Sequence, residues 1–136
     1  IDGGEEHNIH PTNKGTMGMR LGKIMAGDDY AGTPYVEKMD ASSEGTKFRF
    51  VFKIARCQKL HLEKETYLKV KYFDKKVEQI KLNADNLQNN KLILELDDLP
   101  KEISYAYENY PHHIGLYNEL NYPLSPFRVG FIKKVM

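Results

Sequence analysis

The chain reads as mainly β (α+β): an antiparallel β-sandwich-like domain of about six to eight strands, preceded by one short N-terminal amphipathic helix. Three observations predict this. From about residue 33 the apolar residues recur with a period of two, as in half-buried strands. Polar clusters at 42–45, 83–90 and 97–101 interrupt them at short intervals, as turns do. Before residue 33 the spacing is helical instead.

In chain order, the first notable string is His7-Asn8-Ile9-His10-Pro11-Thr12-Asn13-Lys14. Pro11 and Thr12 open a helix, with Thr12 or Asn13 as its cap. Met17, Leu21, Ile24 and Met25 fall at i, i+4, i+7 and i+8, one apolar stripe, and Gly27-Asp28-Asp29 ends it. Gly15, Gly18 and Gly22 lie elsewhere on that helix. Each costs an isolated helix about 1 kcal/mol, so their number implies close approach to a packed neighbour.

Strands follow. Phe48, Phe50, Phe52 and Ile54 alternate with Lys47, Arg49, Val51 and Lys53. Leu68, Val70 and Tyr72 alternate with Lys69 and Lys71, and Leu92, Leu94, Leu96 and then Ile103, Tyr105, Tyr107 repeat the pattern. Residues 34–40 and 127–134 are further strands, and Asn89-Asn90 is a tight turn. Residues 109–126, with Pro111, Pro123 and Pro126, form a long aromatic loop whose prolines exclude a regular strand. Tyr110, Tyr117 and Tyr122 give that loop enough apolar mass to pack down.

Composition narrows the function classes. Hydrophobic residues make up 40% and charged residues 29%, a globular balance. Lys and Arg number 20 against 19 acids, so nothing in the charge calls for a nucleic-acid or membrane partner. Lys69, Lys71, Lys75 and Lys76 are interleaved with Asp74 and Glu78, as on a solvated sheet face. Cys57, the one cysteine, sits among Ile54, Ala55 and Leu60 and reads as a small core hydrophobe. No apolar run approaches a membrane span.

The residue that carries chemistry is His10. Imidazole titrates near neutrality and can accept and return a proton within one turnover. A nucleophile is missing: Ser42 and Ser43 read as turn residues, Ser104 as a strand residue, and Ser125 stands between Leu124 and Pro126. None lies in a glycine-flanked elbow. His7 with His10, and the pair His112-His113, lack supporting Cys or carboxylate spacing, so neither metal nor other cofactor is expected.

Several strings carry a family resemblance. Ile9-His10-Pro11 with Asn13-Lys14, then Gly18-Met19-Arg20-Leu21, resemble the last conserved block of the sialate O-acetylesterases, serine esterases of the SGNH hydrolase class. Tyr30-Ala31-Gly32-Thr33-Pro34-Tyr35 is similar to the exit from that family's catalytic domain. Tyr105-Ala106-Tyr107, Pro111, Leu116-Tyr117-Asn118 and Pro123-Leu124-Ser125-Pro126-Phe127-Arg128 are similar to its C-terminal signature.

The resemblance implies that residues 1–32 are the C-terminal end of an SGNH-type catalytic α/β domain and 33–136 a C-terminal β-sandwich segment. It implies His10 as the catalytic histidine, an O-acetylated glycan as substrate, and a secreted or periplasmic setting. The nucleophile and oxyanion groups would belong to the N-terminal remainder of the same protein, which becomes the expected partner, with self-association of this segment as another outcome. Where many relatives carry Asp to orient the histidine, this chain has Asn8 and His7, with Asp2, Glu5 and Glu6 nearby. Two other readings stand beside it: a carbohydrate-binding sandwich that uses loop tyrosines, and a structural interaction module.

Overall fold

In a computed structural model, residues 19–26 (as backbone), 33–106 and 115–133 are described. The strands are β1 (Met19–Ala26), β2 (Tyr35–Glu44), β3 (Lys47–Ala55), β4 (His61–Leu62), β5 (Tyr67–Tyr72), β6 (Val77–Lys81), β7 (Leu87–Gln88), β8 (Lys91–Leu96), β9 (Pro100–Tyr105), β10 (Leu116–Tyr117) and β11 (Phe127–Lys133). A five-stranded sheet runs β1-β11-β9-β5-β6, a four-stranded sheet runs β2-β3-β8-β7, and β10 pairs with β4. Every pairing is antiparallel. The mainly β, antiparallel reading therefore holds.

The two sheets meet through the apolar positions of the period-two runs. Phe50, Phe52 and Ile54 of β3 and Leu92, Leu94 and Leu96 of β8 are buried on one side. Leu68 and Val70 of β5, Ile103 and Tyr105 of β9, and Phe127, Val129 and Phe131 of β11 are buried on the other. Rings bridge the layers: Phe50 lies 5.4 Å from Phe131, and Phe52 lies 5.2 Å from Phe127, between centroids. Each such side chain withdrawn from water contributes about 1.5–3 kcal/mol, which makes this seam the main source of cohesion.

The outer faces are charged as expected. On the four-stranded sheet, Lys47 pairs with Asp97 at 2.6 Å and Arg49 with Glu95 at 3.5 Å. On the five-stranded sheet, the Glu102 carboxylate lies between Lys71 at 3.5 Å and Arg128 at 3.4 Å, so one acid links three neighbouring strands. Lys76 and Asp74 share the β5–β6 turn, where the Lys76 N–H donates to the Asp74 carboxylate at 3.0 Å.

Two expectations need correction. The amphipathic helix gives way to a strand over 19–26, while its first part, 12–18, lies outside the described residues. A register shift between Leu21 and Lys23 sets Leu21, Ile24 and Ala26 opposite Phe131, Val129 and Phe127. An i, i+3 spacing across a bulge thus imitates a helical stripe. Gly22 falls at that shift, where a bulge suits glycine, and β1 pairs an edge of β11 that would otherwise be open. β2 shows the same device. A shift between Val36 and Lys38 allows Val36 and Met39, three apart, both to be fully buried.

The second correction concerns Ser42 and Ser43. They belong to β2, opposite Arg49 and Phe48, and the reversal lies one step later, at Gly45-Thr46. Gly45 has φ +62°, the conformation for which a two-residue hairpin loop selects glycine. Asn89-Asn90 does form the β7–β8 turn, with Asn89 at φ +54°.

Candidate functional site

At one end of the sandwich the β3–β4 connection meets the segment that leads through β10 to β11. Tyr105, at the end of β9, anchors this junction. Its ring is fully buried and stacks on Phe127 at 5.8 Å, and its hydroxyl accepts the N–H groups of Gly115 at 3.2 Å and Leu116 at 3.1 Å. Burial pushes the phenol up to about 12, against weaker opposition from the two N–H groups. Gly115 suits this position, because a Cβ would collide with the hydroxyl of Thr66 and force it to shift.

Asn118 then organises the turn. Its side-chain oxygen accepts the N–H groups of Leu120 and Tyr122, both at 2.9 Å, and its amide donates to the Arg56 carbonyl at 3.0 Å. Arg56 has φ +57°, a conformation a non-glycine residue holds only when its surroundings fix it. Its guanidinium lies 5.4 Å above the ring of Tyr35. Glu119 completes the clamp by accepting the N–H groups of Gln58 at 2.7 Å and Lys59 at 3.2 Å. Those donors hold its carboxyl below the usual carboxylate range. Such clamps fix a loop that has almost no regular structure of its own.

The chemistry available at this end is limited. His61 Nε2 stands 2.6 Å from the Glu63 carboxylate, and its ring stacks on Tyr117 at 6.1 Å. No serine joins this pair: Ser43, Ser104 and Ser125 are buried in or beside strands, and Ser42 lies within β2. Cys57 is only half-buried and packs against the edge of the core. Burial, helped by the Glu119 carboxylate, raises its thiol to about 11, which disfavours the nucleophilic thiolate at neutral pH. Among the described residues, no three His, Cys, Asp or Glu side chains are grouped to hold a metal ion. No helix among them is long and apolar enough to cross a membrane. What the clamps do produce is a fixed turn that holds Leu120 and Tyr122 out to solvent, 66% and 47% exposed.

His10 lies outside the described residues, as do His7, Asn8, Asp2, Glu5, Glu6, Tyr110, His112 and His113. Of the loop tyrosines, Tyr117 is half-buried against His61 and Tyr122 is exposed. Of the two residues that do most of the organising, sequence reasoning met Asn118 only as part of a family string, with no role, and passed over Glu119. The available signal was the polar turn composition of Asn118-Glu119-Leu120-Asn121 directly after an apolar pair.

No family model and no curated protein matches the chain. Among solved structures, a carbohydrate acetylesterase from Xanthomonas citri is similar in fold, with a TM-score of 0.53 and 18% identity over 71% of this chain. The matched part spans 22% of that protein's length. At this identity the similarity is one of fold.

Proposed function

We propose that this chain is the C-terminal part of a carbohydrate O-acetylesterase, with the sandwich as accessory domain and His10 as the proton carrier of the catalytic centre. The supporting observation is the fold similarity to the Xanthomonas citri acetylesterase, which takes in most of this chain and only a minor part of that one. The ordered motifs from Ile9-His10-Pro11 to Pro126-Phe127-Arg128 point the same way, toward sialic acid or a related glycan as the acetyl carrier.

In this reading a serine from a part of the protein outside these 136 residues attacks the acetyl carbonyl. His10 takes the serine proton, and the negative charge gathers on the carbonyl oxygen. Collapse of that intermediate expels the sugar oxygen, which receives the proton from His10. Water then repeats the sequence to release acetate. The secluded positions of Ser43, Ser104 and Ser125 support an external nucleophile.

The test is acetate release from O-acetylated sialic acid and from acetylated xylan by the complete gene product containing this chain. His10→Ala is expected to lower the rate by about 10²–10⁴, the range for loss of a positioned acid–base group. The 136-residue chain alone is expected not to react with a fluorophosphonate probe. His10-dependent labelling of the isolated chain, or full activity of His10→Ala, would overturn the proposal.

The exposed Leu120 and Tyr122 favour one second reading, a non-catalytic binding or structural module. It predicts sugar or protein binding without acetate release by the complete gene product.

A further inference from the structure

A cleft of about 350 Å³ opens where the chain crosses from β6 in one sheet to β7 in the other. That volume lies at the small end of the range for ligand sites. Ile80 and Ile93 contribute its apolar lining. Ile93 alternates with the core residues Leu92 and Leu94 and takes no part in the core cluster, yet it is only 8% exposed. The segment before β7 shelters it: the Asn86 amide donates to the Ile93 carbonyl at 2.9 Å, and β7 pairs back onto β8. These contacts frame one wall of the cleft.

Polar and charged side chains make up most of its lining, and three of them keep groups unpaired among the described residues. Asn83 spends its side-chain oxygen on the Asp85 N–H and its own N–H on Asn86, which leaves its amide NH₂ without a partner among the described residues. The Gln88 amide and the Asp85 carboxylate are likewise unpartnered among the described residues. The cations at the cleft are already engaged: Arg49 with Glu95 at 3.5 Å, and Lys81 with Glu65 at 3.3 Å. An anionic ligand would meet the Asp85 carboxylate and would have to draw Arg49 or Lys81 away from its acid. A flat aromatic ligand would find no ring to stack on among the described residues that line the cleft.

What remains is a small apolar floor ringed by an amide donor, a second amide able to donate and accept, and a carboxylate acceptor. From this we infer that the cleft binds one or two neutral sugar units, with C–H groups on Ile80 and Ile93 and hydroxyls on Asn83, Asp85 and Gln88. The inference rests on the carbohydrate reading above and gives it a second, non-catalytic contact with the glycan. Exposed hydrogen bonds and a small apolar floor make for weak, millimolar binding.

The experiment is an NMR titration of the 136-residue chain with xylotriose and, separately, N-acetylneuraminic acid. Xylotriose is expected to shift the Ile80 and Ile93 methyl signals, with an affinity that added salt leaves unchanged. Asp85→Asn and Gln88→Ala are exposed changes that leave the core intact, and together they are expected to weaken binding by about tenfold. Tyr122→Ala is expected to have no effect. No shift at Ile80 and Ile93, stronger and salt-sensitive binding of N-acetylneuraminic acid, or shifts confined to the Tyr117–Tyr122 turn would each overturn the inference. Acetate release by the complete gene product is scored separately. A cleft that binds sugar in a protein without esterase activity sinks the esterase reading alone, and the reverse result sinks this one.

Discussion

Removal of one oxygen atom, by Tyr105→Phe, isolates the contribution of the anchor that ties β9 to β10. The ring and its stack on Phe127 are retained, so no cavity of consequence forms. What disappears is the acceptor for the Gly115 and Leu116 N–H groups. Both residues are buried, Leu116 completely, so water cannot replace the hydroxyl without disrupting the loop. Each buried donor left unpaired costs about 1–3 kcal/mol, which together give about 2–4 kcal/mol after partial relaxation. Domains of this size have only about 5–15 kcal/mol in total, so the effect is large. Urea unfolding followed by tyrosine fluorescence measures it, and native-state hydrogen exchange locates it. The Gly115 and Leu116 amides are expected to lose protection before the β3 and β8 amides. A loss below about 0.5 kcal/mol, within the range of an ordinary surface substitution, would refute the reasoning.

The same phenol supplies a pH test. Its value is raised from 10.0 to about 12 in the folded chain, so the neutral form is favoured by folding. That contribution is intact below pH 10 and is lost as pH rises toward 12, so the stability gap between the wild type and Tyr105→Phe is expected to narrow over that window. Glu119 behaves oppositely: its carboxyl is depressed below the ordinary 4.5, so its clamp holds above that value and releases only at lower pH. The Gln58 and Lys59 amide shifts should therefore titrate with a midpoint below 4.5 in the wild type and stay flat in Glu119→Gln; a midpoint at or above 4.5 refutes the clamp. Gly115→Ala forces a methyl group against Thr66 and within 3.1 Å of the Lys64 carbonyl, and a lower urea midpoint, by about 1–3 kcal/mol, is the expected result. Gly45→Val, at φ +62°, is expected to cost about 1 kcal/mol without changing the fold, as read by thermal unfolding.

The strands with clean alternation were legible because burial on one face imposes it. β3, β5, β8, β9 and β11 all contain stretches marked out by their apolar residues. β6 was not, since it is an edge strand whose Val77 is half exposed and whose other residues are mostly in water. The bulges misled in a definite way. Across one extra residue, Leu21 and Ile24 take a helical spacing, as do Val36 and Met39, and only the neighbouring strand reveals which period applies. The site was less legible than the fold. Asn118 and Glu119 act on backbone groups about 60 residues away, and a sequence does not display such a pairing. His10 was singled out on local composition and family resemblance, which need no tertiary context.

The position of β11 has a consequence for how the molecule is made. It follows every other strand described here in the chain, yet it lies inside its sheet, between β1 and β9. A ribosome delivers β9 well before β11, so the inner edge of β9 stays open while the intervening segment is still emerging. During that interval Ile103 and Tyr105 lack the cover that Val129 and Phe127 later provide. An unoccupied interior slot of this kind accepts any extended segment of suitable pattern, including the β11 of a second copy. The fidelity of assembly thus depends on β11 arriving before a competitor does, a matter of timing rather than of final stability.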